Sequence, residues 1–199
     1  MHRVQPSPPP SLASRAEEDL RVIRAAVLAS GRFTAVPGWG AVYMGCVALV
    51  ATAVALAQDS AETWLATWCV AALVAVPGGA WALARKARSL EVPLWSGVGR
   101  KFLLGLCPGL AAGLVLSVVL VQAGRHDLLP VTWLTLYGSA ILAAGAHSIP
   151  VVPGLGACFL VLGLVAACLP LAWGGALLAV GFGGLHVGFG LWVVARHGG

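Results

Sequence analysis

Only a few side chains inside the long apolar runs of this sequence could bind or transfer anything, and two of them are histidines, His147 and His186. His186 sits in the glycine-rich string GGLHVGFG, residues 183–190. An imidazole facing lipid is costly, so His186 is expected to turn toward protein, neutral and bonded to a hydroxyl or carbonyl. The candidate partners are Tyr137, Ser139, Thr135, Ser117 and Thr52. A second arrangement pairs the two histidines. They follow Trp133 and Trp173 at similar distances, which predicts a similar depth, and two imidazoles at one depth could hold a haem or a metal ion or relay a proton. No carboxylate lies within an apolar run to steady such a site, so no cofactor is predicted, no metal ligand is assigned, and haem or metal binding through His147 and His186 stays an alternative. His2, His126 and His197 fall in segments expected to be exposed.

The elements that must position these residues follow from composition. Of 199 residues, 59% are hydrophobic and 10% charged, with 26 glycines. The mean hydropathy is +0.92. A soluble domain carries about a quarter charged residues, so this is a membrane protein. Crossing a core of about 30 Å takes about 20 apolar residues. Six runs qualify, from Pro37 to Ala57, Thr63 to Ala84, Phe102 to Val121, Pro130 to His147, Val151 to Leu169 and Leu171 to Ala195. The predicted fold is an all-α, polytopic six-helix transmembrane bundle over residues 37–196. The five cysteines lie in or beside these runs without C-x-x-C spacing and read as packing residues.

Eleven of the twelve Lys and Arg residues fall on one side of these spans and only Arg125 on the other. The positive-inside rule then places both termini in the cytoplasm, and the net charge of +5 reports topology rather than nucleic-acid binding. Residues 1–13 form a Pro-rich lead-in expected to be extended and disordered. Residues 14–32 open with the capping-box pair Ser14 and Glu17, pair Glu17 with Arg21, and align Leu20, Ile23 and Val27 with Ala16. This predicts a cytoplasmic amphipathic helix. It lies on the inner membrane surface with Arg21 and Arg24 near anionic lipid, or docks a soluble partner or a second copy of the chain.

Glycines direct the packing, because lipid gives apolar helices no reason to associate and close backbone approach takes over. Gly105, Gly109 and Gly113 make two overlapping G-x-x-x-G steps on the third span, with Pro108 between them. On the sixth span Gly174, Gly181, Gly184 and Gly188 share one side, and Gly175, Gly183, His186 and Gly190 roughly the other. That span is expected at the centre of the bundle. PGWGA, PGLAA and PGLGA in the odd-numbered spans suggest three hairpins in series. The eight tryptophans fit two aromatic belts, Trp64, Trp68, Trp133 and Trp173 outside and Trp39, Trp81, Trp95 and Trp192 inside.

The stretches EEDLRVIRAAVLASGRFTAVPGWGAVYMG, ARKARSLEVPLWSGVGRKF and GFGGLHVGFGLWVVARHGG resemble an uncharacterised family of small bacterial six-span integral membrane proteins. The resemblance implies a location in the bacterial cytoplasmic (inner) membrane and an integral N-terminal helix, and brings no activity and no residue role with it. No span carries a central Asp, Glu, Lys or Arg, which argues against an ion-coupled carrier. No G-x-S-x-G, H-E-x-x-H or P-loop is present, so no catalytic residue is assigned. The expected function is a non-enzymatic membrane component for sensing, assembly or scaffolding that uses its N-terminal helix to dock. Its partners are the bilayer and a cytoplasmic or membrane protein, with a homo-oligomer also open. The alternative is a channel or facilitator for a small neutral solute, along a polar path lined by Tyr137, Ser139 and His186.

Overall fold

A computed structural model describes Asp19, Leu20, Ile23 and residues 31–95 and 97–197. The Pro-rich lead-in, the Ser14 and Glu17 capping pair, and Arg21, Arg24 and Val27 lie outside the described residues. Asp19, Leu20 and Ile23 are helical, and all three are exposed. The chain divides into two compact units at Gly31, and the spans all belong to the second.

That unit is all-helical. Its six helices are long and apolar enough to cross a membrane: α1 Gly38–Ala55, α2 Ala61–Ser89, α3 Gly97–Gln122, α4 His126–Gly145, α5 Val151–Cys168 and α6 Leu171–His197. Their starts follow local chemistry. Pro37 precedes α1, Ser60 caps α2 by accepting from the Thr63 amide, Pro130 occupies the first turns of α4, and Pro170 breaks the chain between α5 and α6. The surface around the bundle is apolar, with Leu73, Val76, Leu114 and Leu164 all exposed, as lipid contact requires. Four of the cysteines, Cys46, Cys69, Cys107 and Cys168, share that outer surface and do not pack the interior.

Two apolar clusters hold the bundle. One gathers Phe33, Ala87, Phe102, Ala144, Ile149, Val152 and Val193 at the end that carries both chain termini of the unit. This is also the basic end, where Arg32, Arg85, Lys86, Arg88, Arg100, Lys101 and Arg196 lie. The other joins Leu134, Phe159, Ala166, Leu177 and Leu178 toward the opposite end.

Close backbone approach sets the helix pairs. A Cβ on Gly138 would meet Leu160 N at 2.8 Å and Gly156 O at 3.0 Å, so α4 and α5 touch backbone to backbone. A Cβ on Gly38 would meet Gly190 O at 2.8 Å, and one on Gly190 would meet Gly38 O at 2.8 Å, which brings α1 against α6. The three-hairpin expectation therefore fails in its last unit. The tight SIP turn and the Gly138–Gly156 contact make α4 and α5 the close pair, while α6 packs on α1 and touches α4 and α5.

The glycines singled out from sequence divide in two. Gly105 faces Ala143 and Ala144, Gly109 faces Leu136 and Ala140, and Gly113 lies under the Trp133 ring, so all three pack α3 on α4. On α6, Gly181 packs on Leu134 and Phe159. Gly184 and Gly188 are exposed and meet no side chain of the bundle, contrary to the packing role expected for them. The reason is a π-helical turn over Ala179–Leu185. A π turn inserts one residue into the helical cycle and rotates everything after it by about 100° relative to a regular α-helix. After the turn it is Gly183, His186 and Gly190 that face inward.

Candidate functional site

The π turn and His186 form one local unit. Glycines 181, 183 and 184 leave few side chains to enforce the regular spacing, and the widened turn leaves the Gly181 carbonyl 3.4 Å from His186 Nδ1. A carbonyl can only accept, so Nδ1 carries the proton. The neutral ring then presents Nε2 as an acceptor, and Tyr137 Oη lies 2.7 Å from it and donates. Tyr137 is one of the five hydroxyl candidates named from sequence, and His186 is 2% exposed.

Aromatic rings enclose this pair. Tyr137 and Phe159 meet edge to face at 4.8 Å, Phe159 and Phe182 at 5.0 Å, and Phe182 stacks on His186 at 5.9 Å with 12° between planes. The unit thus ties three helices together, the polar bond joining α4 to α6 and Phe159 of α5 packing on both rings. Both ring nitrogens of His186 are engaged within the chain, Nε2 by Tyr137 and Nδ1 by the Gly181 carbonyl.

The histidines do not share a depth. Tyr137, level with His186, precedes His147 by ten residues on the same helix, which is about 15 Å of axial rise. The equal spacing from tryptophan misleads because Trp173 lies in the first turn of α6, whereas Trp133 lies well inside α4. His147 is exposed at the basic end, just past the last turn of α4. The structure does not bring the two imidazoles together, and among the described residues no three His, Cys, Asp or Glu side chains gather where they could hold a metal ion.

The other four hydroxyls named as candidate partners are turned to their own helix backbones. Thr52 donates to Ala48 O at 2.9 Å, Ser117 to Gly113 O at 2.8 Å, Thr135 to Val131 O at 2.7 Å and Ser139 to Thr135 O at 2.9 Å. Ser139 is partly outward and does not join Tyr137 and His186 along one path. Three tryptophans assigned to the outer belt, Trp64, Trp68 and Trp133, instead turn inward and are half-buried. Trp133 Nε1 donates to Ser117 Oγ at 2.9 Å and links α4 to α3.

A second unit, absent from the sequence reading, closes the basic end. Phe33 is fully buried five residues before α1, its ring stacked on Phe102 at 4.6 Å and 24°. Its amide donates to His147 O at 2.7 Å and its carbonyl accepts from Ser148 Oγ at 2.8 Å, making a single parallel bridge with the turn between α4 and α5. Ser148 and Ala35 are buried with it. The sequence signal was an aromatic residue in the short approach to the first span, GRFTAVPG. The segment that leads from the N-terminal arm into α1 is therefore bolted to the far side of the bundle. No protein-family model, no curated protein and no solved structure matches this chain.

Proposed function

We propose that this chain is a non-enzymatic membrane component for sensing, assembly or scaffolding, in which the helix over residues 14–32 engages a partner on the cytoplasmic side. The observation that carries the proposal is the bolt at Phe33. Any load or displacement on the arm meets Phe33 first, and Phe33 bears on α3 through Phe102 and on the α4–α5 turn through His147 and Ser148. A partner on the arm thus addresses three spans at once. The exposed Leu20 and Ile23 supply apolar contact area for that partner.

The filled interior around Tyr137 and His186 supports this reading over a solute path, since four rings occupy the space such a path would need. Cytoplasmic placement of both termini, and a bacterial inner membrane as the host, belong to the same proposal. Their support is the cluster of cationic side chains at the end that carries the termini.

Two measurements test it. Deleting residues 12–32 while keeping Phe33 should remove the co-purifying partner and leave the spans folded, as judged by elution and thermal stability. An unchanged set of partners would rule the docking role out. A cysteine introduced by Leu90→Cys in a chain without its native cysteines should resist an impermeant maleimide in intact cells and react once the membrane is opened. Labelling in intact cells would invert the topology.

A further inference from the structure

The chain before α3 folds back onto the first turn of that helix at Gly99. A Cβ on Gly99 would strike the Pro93 carbonyl oxygen and come within 2.8 Å of Leu94 Cα, so a glycine is needed for this approach. Gly97, at φ +53°, makes the reversal into the helix. The fold-back sets Trp95 beside α3 and leaves a concavity of about 260 Å³ lined by Trp95, Arg100, Leu103, Leu104 and Cys107.

That concavity faces away from the bundle. At the regular helical step, Arg100, Leu103, Leu104 and Cys107 share a stripe centred about 180° from Phe102, Gly105 and Gly109, which pack on Phe33 and on α4. Trp95 and Leu104 are 84% and 58% exposed, and Leu114 and Val118 carry the same stripe onward along the exposed flank of α3. Every lining residue belongs to the stretch 95–107, so no other helix screens the concavity from lipid.

Its lining is graded in polarity. Arg100 stands one turn into α3 and makes no hydrogen bond or ion pair among the described residues, unlike Arg125 at the other end, which holds Asp127. Cys107 lies about 10 Å farther along the helix axis, with Leu103 and Leu104 between. No carboxylate lines the concavity, and Glu91 is the one carboxylate at the basic end of the bundle.

We propose that this concavity binds an anionic phospholipid of the leaflet at the basic end. The phosphate diester accepts from the Arg100 guanidinium, one acyl chain descends along Leu103, Leu104 and Cys107, and the Trp95 indole stands beside the glycerol. An uncommitted cation above an apolar wall calls for an occupant with an anionic head and a hydrocarbon tail. A zwitterionic head gains less, because the lining offers no carboxylate to its ammonium group. A soluble phosphate would leave the apolar wall uncovered. This inference does not rest on the docking role of the N-terminal arm.

The experiment uses the full chain in phosphatidylcholine nanodiscs doped with phosphatidylglycerol that carries a diazirine on one acyl chain, and maps the cross-links by peptide mass spectrometry. Label should concentrate on the peptide containing Leu103, Leu104 and Cys107. It should exceed, about fivefold, the label left there by phosphatidylcholine with the same photoreactive chain. Arg100→Gln should bring phosphatidylglycerol down to the phosphatidylcholine level, and Arg100→Lys, which keeps the charge, should retain most of the difference. Trp95→Ala should lower the phosphatidylglycerol label with Arg100 still in place. Arg88→Gln, an exposed cation of the same loop outside the lining, should leave the label unchanged.

Equal labelling by the two lipids overturns the selection by charge. Equal losses from Arg88→Gln and Arg100→Gln overturn the site, since diffuse attraction to the basic end would then account for the preference. Displacement of the label by water-soluble glycerol 3-phosphate overturns the lipid assignment in favour of a soluble phosphate ester.

Discussion

Tyr137 and His186 share a 2.7 Å hydrogen bond in the middle of the bundle, with Phe159 and Phe182 closing over both rings. Of the two roles the sequence leaves open for His186, the structure shows the interhelical hydrogen bond to a hydroxyl, with Tyr137 the partner. The other ring nitrogen of His186 is held by the Gly181 carbonyl of its own π turn.

Removing one half of that pair should be worse than removing both. Tyr137→Phe leaves His186 Nε2 buried without a donor, at a cost of about 1–3 kcal/mol. The double variant Tyr137→Phe with His186→Leu should cost less than the sum of the single changes, because it strands no polar atom. Thermal unfolding in detergent, analysed as a double-mutant cycle, checks this, and strict additivity would mean that the bond contributes nothing.

Glycines on α4 to α6 should differ sharply in tolerance. Gly156→Leu places a side chain where a Cβ already meets Leu142 N at 2.5 Å, and it should abolish the monodisperse folded protein. Gly188→Ala, in open space, should be neutral or slightly stabilising. Elution profiles of the two variants distinguish them, and equal behaviour would contradict the rotation of α6 by its π turn.

Phe33 should be an anchor despite lying outside every span. Phe33→Ala empties a fully buried site against Phe102 and should cost about 3–4 kcal/mol, with Phe33→Leu much milder. Ser148→Ala should cost about 1 kcal/mol by removing the donor to Phe33 O. Hydrogen exchange offers an independent reading. The Phe33 amide, bonded to His147 O, should exchange as slowly as amides within α1 in the wild type and rapidly in Phe33→Ala.

Trp133 is expected to behave as a packing residue. Trp133→Phe loses the bond to Ser117 Oγ and should cost about 1 kcal/mol, since Ser117 keeps its bond to Gly113 O. Trp81→Phe, on an exposed ring beside Arg85, should be nearly neutral. Melting temperatures of the two variants provide the comparison.

The spans were legible because their cause is local. Twenty apolar residues between charges or prolines must cross, and α1 to α6 begin and end within a few residues of the positions expected. What escaped the sequence depends on phase or on backbone. Gly184 and Gly188 were placed by a regular 100° step, and a single extra residue in Ala179–Leu185 turned them outward. The depth of His147 was set against Trp133, a ring that proves to bond Ser117 inside the bundle rather than mark a boundary. The bridge between Phe33 and Ser148 runs through main-chain atoms, which leave no periodicity to read.

Only Thr34 to Pro37 separate the Phe33 anchor from the first turn of α1. Four residues are a short leash, so α1 can neither slide along its axis nor roll on α6 by more than that tether allows while the anchor holds. Freeing Phe33 is thus a precondition for any large rearrangement of the first helix, and the chain carries its own mechanical catch at the doorway of the bundle.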